Sequence, residues 1–340
     1  MRGSELADQK LKVGEYVLER PLRSENSGFS EWGFGRKDGQ TYFIKKFLSP
    51  VYPPENGKLG KRIVEKKKEM CSRYEGEKQL LFWKVNEVSD GNLLRIHEFF
   101  RYGTHYYIST EKVEAMDFEK EVLRLSLDEK IVLMKILCHS LSSLHKAELI
   151  HGDIKLSNVL FYRTEQRTVS AKIIDVDTCF WRDNPPKNPS ELIGDFVYLS
   201  PDYYRFMTGK TNKVLEQIDI FSMGLVFHEL LTGKLPDFDH EKYFYLYESV
   251  LAGHMPEPDP SIPPQLRKFI QSMLWCTQEV YPDAWSLLQE LRLMTQATVR
   301  HPEPERKKIP APTPVNKRPA PKEPRSVDNP DDWFHAAGDL

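Results

Sequence analysis

The hydrophobic pattern of this 340-residue chain changes period near Ser126, and that switch limits the architectures open to it. From Glu15 to Val113 the apolar residues fall in short β-type runs, YVLE, TYFIKKF, LLRIHEFF and HYYISTEKV, around one strongly charged segment from Gly57 to Leu81. The pattern predicts a sheet carrying one helix. Beyond it, Ser126 and Glu129 stand at capping-box spacing, and Leu133, Leu137, Leu141 and Leu144 recur at intervals of four, four and three. A long helix is expected there. The segment DIFSMGLVFHELL, starting at Asp219, is apolar on nearly every face, as a helix buried among other helices must be. The fold class is therefore α+β, with a small β-rich part preceding a larger helical one, and no repeat of 20 to 50 residues is evident.

Composition narrows the function classes. The 48 Lys and Arg against 50 Asp and Glu give a formal charge of −2, which leaves no basic excess for nucleic acid. No run of about 18 apolar residues occurs and MRGSELADQK has no apolar h-region, so a soluble cytoplasmic protein without membrane or nucleic-acid partners is expected. Cys71, Cys138, Cys179 and Cys276 lie far apart with no C-x-x-C pair, which predicts reduced, mostly buried thiols. His301 to Arg325 holds eight of the 24 prolines, interleaved with Arg and Lys. Such a stretch favours extended polyproline II, so the folded part is expected to end near Arg300. After it comes DNPDDWFHAAGDL, whose Trp333 and Phe334 suit a terminal docking peptide or a plain disordered end.

The chemistry concentrates in HGDIKLSNVLF, residues 151 to 161, followed seventeen positions after Asn158 by the first carboxylate of DVD. Phosphoryl transfer needs an aspartate to orient the attacking hydroxyl, a lysine to neutralise the transferred group, and an Asn and a second Asp to hold Mg²⁺ across the phosphates. Asp153, Lys155, Asn158 and Asp175 are the right types in that order.

At these residues the chain resembles the eukaryotic-type protein kinase superfamily, whose catalytic loop reads His-Arg-Asp-x-Lys-x-x-Asn and whose metal-binding motif reads Asp-Phe-Gly. The resemblance runs from about Glu15 to Leu291. It implies a bilobal kinase fold with an arm over 1–11, an N-lobe over 12–113, a C-lobe over 114–298, and a linker and terminal peptide over 299–340. It implies ATP and Mg²⁺ as cofactors, catalytic roles for Asp153 and Lys155, and metal binding by Asn158 and Asp175. Lys45 in TYFIKKF resembles the lysine on the α and β phosphates, with Glu77 as its helix partner and Glu75 as the rival. HYYISTEKV resembles the hinge, Thr110 guarding the pocket and Glu111 and Val113 offering backbone groups to adenine. Gly28 is what remains of the glycine-rich loop. Asp219 resembles the anchor of the catalytic loop, and His151 its packed histidine. Lys155 and IGDFVYLSPD resemble the serine/threonine type, so transfer of the ATP γ-phosphoryl group to Ser or Thr of a protein is the implied reaction.

Several positions depart from that pattern. ENSGFSEW puts Glu25, Ser27 and Ser30 where glycines are usual, and Phe43 replaces a small alanine, either crowding the adenine or being absorbed by a shifted strand. Val176 and Asp177 replace Phe and Gly, and Asp177 either touches metal or points outward, the outward carboxylate being the expectation. Asp195 replaces a threonine and is expected to pair with Lys155. Asp202 and Tyr281 replace a Glu–Arg pair and are expected to share a hydrogen bond. Gly152 replaces the arginine that receives an activation-segment phosphate; Arg182 or Lys187 could substitute from within the loop but neither is fixed by a rigid element, so no switch through Thr178 or Ser190 is expected. Two alternatives follow from these departures: a pseudokinase scaffold, or a small-molecule phosphotransferase like the aminoglycoside and choline kinases. TYFIKKFLSPVYP and DGNLLRIHEFF resemble a bacterial branch that suggests a metal-dependent phosphatase and a von Willebrand factor A protein as partners.

Overall fold

The computed structural model describes residues 11–24, 30–54, 59–186, 195–275, 281 and 283–300, with side chains to residue 294. These lie in the first of two units, 1–300 and 301–340. Gly28, Lys187, Ser190, Cys276 and the terminal peptide fall outside the described residues.

Six antiparallel strands form one sheet in the order β1-β2-β3-β4-β6-β5: β1 (Lys12–Val13), β2 (Tyr16–Leu18), β3 (Ser30–Lys37), β4 (Gln40–Phe47), β5 (Ile96–Tyr102) and β6 (His105–Glu111). Asp38 and Gly39 both adopt positive φ, 51° and 81°, which is the two-residue turn that joins β3 to β4 with the twist the strands require. Alternation along β4 then serves two cores. Ile44 packs with Val13, Tyr16 and Tyr107 on the outer face, whereas Phe47, Tyr106 and Ile108 join the main core.

The charged segment becomes α1 (Lys61–Val88), whose buried residues Cys71, Leu81, Phe82 and Val85 all lie in its C-terminal two thirds. Next comes α2 (Leu127–Lys146). The expected capping box forms, with the Glu129 N–H donating to Ser126 Oγ at 3.3 Å and the Ser126 N–H donating to Glu129 Oε2 at 2.9 Å. Leu133, Leu137, Leu141 and Leu144 are fully buried. Two short ribbons follow: β7 (Leu149–Ile150) with β10 (Phe180–Trp181), and β8 (Val159–Arg163) with β9 (Val169–Ile173). After α3 (Pro201–Met207), α4 (Gln217–Thr232) is buried nearly throughout from Gln217 to Leu230. It stops at Gly233, whose φ of 80° few other residues adopt. Then α5 (Leu246–Leu251), α6 (Pro264–Leu274) and α7 (Ala284–Arg300) complete the helical part. A β-rich part carrying one helix thus precedes a helical part, and the two share one core running from Phe47 to Leu291. Cys71, Cys138 and Cys179 are buried free thiols. No helix among the described residues is long and apolar enough to cross a membrane.

Candidate active site

The loop between β7 and β8 is built on one buried carboxylate. Asp219, in the first turn of α4, is 1% exposed and accepts from the His151 N–H at 2.8 Å and the Gly152 N–H at 2.9 Å, while His145 Nε2 lies 3.1 Å away. Burial pushes this carboxyl up, but the His145 and amide hydrogen bonds outweigh it and hold Asp219 below the usual range. His151 is fully buried, with Nε2 2.9 Å from the Ile174 carbonyl. The loop is therefore tied at once to α4 and to the strand end before Asp175.

Asp153 is buried on this frame. Its Oδ2 lies 2.9 Å from Lys155 Nζ and accepts from Asn158 Nδ2 at 3.0 Å, and Asn158 also donates to the Asp153 carbonyl at 2.8 Å. Lys155 takes Asp153 as its partner, which corrects the expected pair with Asp195: the latter's carboxylate caps the Val197 N–H at 3.0 Å. The Ile174 N–H donates to the Asn158 carbonyl at 2.9 Å and so sets Asp175 beside the loop. Asp175 itself sits at φ 59°, ψ 34°, a left-handed conformation that non-glycine residues adopt chiefly where the surrounding structure enforces it.

Lys45 reaches across from β4. Its Nζ donates to Asp175 Oδ1 at 3.0 Å and to both oxygens of Asp177, at 3.0 and 3.1 Å. Glu77 does not take part: its side chain is exposed, and Glu75 instead accepts from the Tyr106 hydroxyl at 2.7 Å. The reason is helical phase. The stripe through Cys71, Leu81, Phe82 and Val85 passes through position 78, so α1 presents Lys78 to the cleft and turns Glu77 about 100° away. Lys78 Nζ donates to the Asp177 carbonyl at 2.5 Å. Asp177 is thus buried between two lysines, which corrects the expectation of an outward carboxylate. Burial pushes Asp177 up, but Lys45 and Lys78 outweigh it and hold it below the usual range. Asp175 is raised by burial and by its neighbour Asp177. Lys45 loses from burial and gains more from the two carboxylates, ending above its usual value, whereas burial takes Lys78 below its own.

Phe43 shares Lys45's face of the sheet, as residues two apart on a strand do. Its strand is not shifted: Tyr42 to Phe47 pair without interruption from Glu111 to Tyr106. The ring is absorbed across the hairpin, stacked on Trp32 at 5.7 Å and edge-on to Phe34 at 6.0 Å. At the hinge, Thr110 is buried opposite Phe43, the Glu111 carboxylate pairs with Lys172 at 2.8 Å, and Val113 lies just beyond β6.

Gly152 has φ 75°, and a Cβ there would stand 2.7 Å from Phe180 Cε1, well inside contact. The Phe180 ring occupies the space over the loop between β7 and β8 because β10 pairs with β7, Phe180 opposite Ile150. Gly152→Ala is expected to lower the unfolding free energy by about 2 kcal/mol, from the strained φ and the clash, in urea melts; an unchanged midpoint would refute the packing. The expected Asp202–Tyr281 hydrogen bond is absent. Asp202 pairs with Arg205 one turn on, at 2.6 Å, and the buried Tyr281 donates to Glu290 at 2.6 Å.

The protein kinase domain profile matches residues 60–290, more than two thirds of the chain. The chain belongs to the protein kinase domain family. It is similar to the probable serine/threonine-protein kinase PknB of Lactococcus lactis, 26% identical over 224 residues, 63% of this chain and 34% of that protein. It is also similar to calcium-dependent protein kinase 4 of Plasmodium berghei, 26% identical over 214 residues, 60% of this chain and 39% of that one. Protein kinase kin1 of Schizosaccharomyces pombe is 22% identical over 263 residues, 74% of this chain and 28% of its own length. The chain thus spans well under half the length of these relatives. The matched region holds Lys78, Asp153, Lys155, Asn158, Asp175 and Asp177, whereas Lys45 precedes it and is brought beside Asp175 and Asp177 by β4.

Proposed function

We propose that this kinase transfers the γ-phosphoryl group of ATP to Ser or Thr hydroxyls of a protein substrate, with Mg²⁺. The observation that carries the reading is the Asp153–Asn158–Lys155 hydrogen-bonded set, with Asp175 held beside it through the Asn158 carbonyl. Asp153 accepts from two partners through Oδ2, which orients its carboxylate to take the proton of an incoming hydroxyl. Lys155 lies beside it and is placed to balance charge on the phosphoryl oxygens. The donors offered to a cation, one carboxylate and one amide oxygen, are hard oxygen ligands. No group of three or more His, Cys, Asp or Glu among the described residues forms a dedicated metal cage. That suits Mg²⁺, which binds through one or two protein ligands plus substrate phosphates and waters, and which neutralises phosphate charge when bound. Asp175 and Asn158 would hold it. Lys45 would take the α and β phosphates, and Glu111 and Val113 would offer backbone groups to the base.

The deciding experiment is incubation of the full chain with labelled ATP and Mg²⁺ and a mixture of proteins as acceptors. Label in phosphoserine or phosphothreonine supports the reading. Nucleotide binding without transfer would favour a scaffold instead. The phosphatase and von Willebrand factor A partners are tested by co-purification, and a reducing, cytoplasmic setting is proposed from the free buried thiols.

Control by activation-segment phosphate has no receiver on the catalytic loop. Gly152 offers no cation, Arg182 is already paired with Glu148 at 2.8 Å and Glu216 at 2.6 Å, and the Thr178 hydroxyl donates to the Asp175 carbonyl at 2.8 Å. Phosphatase-treated enzyme and a Thr178→Ala, Ser190→Ala double variant are therefore expected to keep activity within about threefold of untreated wild type. A tenfold loss restored by rephosphorylation would refute this.

A further inference from the structure

We infer that Asp177 and Lys78 form a charge-inverted substitute for the lysine–helix carboxylate pair of protein kinases: Asp177 anchors Lys45, and Lys78 lets α1 dock on the segment that carries Asp177. In the usual arrangement a glutamate on the helix holds the phosphate-binding lysine and the third position of the metal-binding motif is a glycine. Here the helix residue facing the cleft is a cation and the third position is a carboxylate. The inference rests on the kinase reading and concerns positioning residues, because Asp177 acts through Lys45 and Lys78 through the Asp177 carbonyl.

Geometry separates the two carboxylates. Both oxygens of Asp177 lie within 3.1 Å of Lys45 Nζ, and its side chain is 9% exposed. Asp175 gives Lys45 a single oxygen and is 36% exposed, so it is the one open to a cation from the cleft. Asp177 is the buried counter-ion and Asp175 the accessible ligand. Charge balance explains why both changes occur together. Lys45 and Lys78 against Asp175 and Asp177 sum to zero, whereas a helix glutamate at 78 with Asp177 retained would set three carboxylates around one lysine. Unpaired buried charge is costly, so each replacement needs the other. Lys78 adds a direct hydrogen bond to the Asp177 carbonyl, tying α1 to the metal-binding segment, and its Nζ lies 5.9 and 5.8 Å from the ring centres of Tyr74 and Phe82.

The test is a rescue cycle in the full-length protein with Asp177→Gly, Lys78→Glu and the double variant, read as KM for ATP, kcat and thermal midpoint. Each single change is expected to lower kcat/KM for ATP tenfold or more, mainly through KM. The double variant, which moves the carboxylate onto the helix, should recover to within about threefold of wild type. A double variant no better than the worse single one overturns the inference. Should Lys78→Glu fail to fold, Lys78→Gln serves: it is expected to cost at least threefold in the wild-type background and less than half that factor with Asp177→Gly, and an equal loss in both backgrounds overturns the inference. Binding of a fluorescent ATP analogue reads the same coupling without an acceptor. Absence of phosphoryl transfer by wild type would therefore sink the kinase reading while leaving this one measurable.

Discussion

Asp153→Asn and Asp175→Asn are each expected to lower turnover by about 100-fold or more while the protein stays folded. Asp153 has its Oδ2 fixed by Asn158 and Lys155, so the amide keeps the shape and loses the proton acceptor. Asp175 is held in a left-handed backbone conformation by its neighbours, and its amide analogue keeps that backbone and loses the charge that a divalent cation needs. Preorganised groups of this kind are typically worth about 3 kcal/mol or more, which corresponds to a factor beyond 100. Turnover by labelled ATP, with thermal melts to confirm folding, checks both. Near-normal rates in the two variants would dismiss the assignment.

Asp219→Ala should be the most destabilising single change at the loop, by roughly 3 to 5 kcal/mol. It removes the acceptor for two buried backbone amides and for His145, and each orphaned donor costs about 1 to 3 kcal/mol. Asp219→Asn isolates the charge. Because the folded carboxyl lies below its unfolded value, its contribution is complete above about pH 4 and is lost as pH falls through the folded value. The stability gap between wild type and Asp219→Asn in urea melts should therefore narrow in acid, and a gap constant from pH 7 to pH 3 would show that charge is not what Asp219 supplies.

Much of this was legible in the chain because the determinants are local. A capping box and leucines at helical spacing act within a few residues, so α2 could be read directly, as could the all-round apolar α4. The spacing of Asp153, Lys155 and Asn158 fixed their juxtaposition for the same reason, since Lys155 and Asn158 bound one tight turn and Asn158 bonds back to Asp153 five residues earlier. The residue that α1 turns toward the Asp175–Asp177 segment is Lys78 and not the expected Glu77. The full stripe Cys71, Leu81, Phe82, Val85 points to residue 78, one position and 100° from Glu77, and that signal was present in the sequence. Asp177 was harder. Whether a carboxylate turns outward or inward depends on cations that arrive from β4 and α1, more than 90 residues away in the chain. Likewise, Asp202 and Tyr281 found nearer partners, Arg205 one turn on along α3 and Glu290 nine residues on in α7, and a long-range pairing inferred from two departures had no means of weighing those.

The Phe180 ring over Gly152 also makes the loop's present form hard to leave by single steps. Restoring an arginine at 152 inserts a side chain where Phe180 Cε1 already stands, and shrinking Phe180 alone opens a hole beside Ile150, Leu199 and Tyr203 in the small core they share. Each change is harmful without the other. Engineering phosphate control into this protein therefore takes more than one change: position 180 must make room, and the left-handed backbone at 152, which strains any side chain placed there, must relax as well.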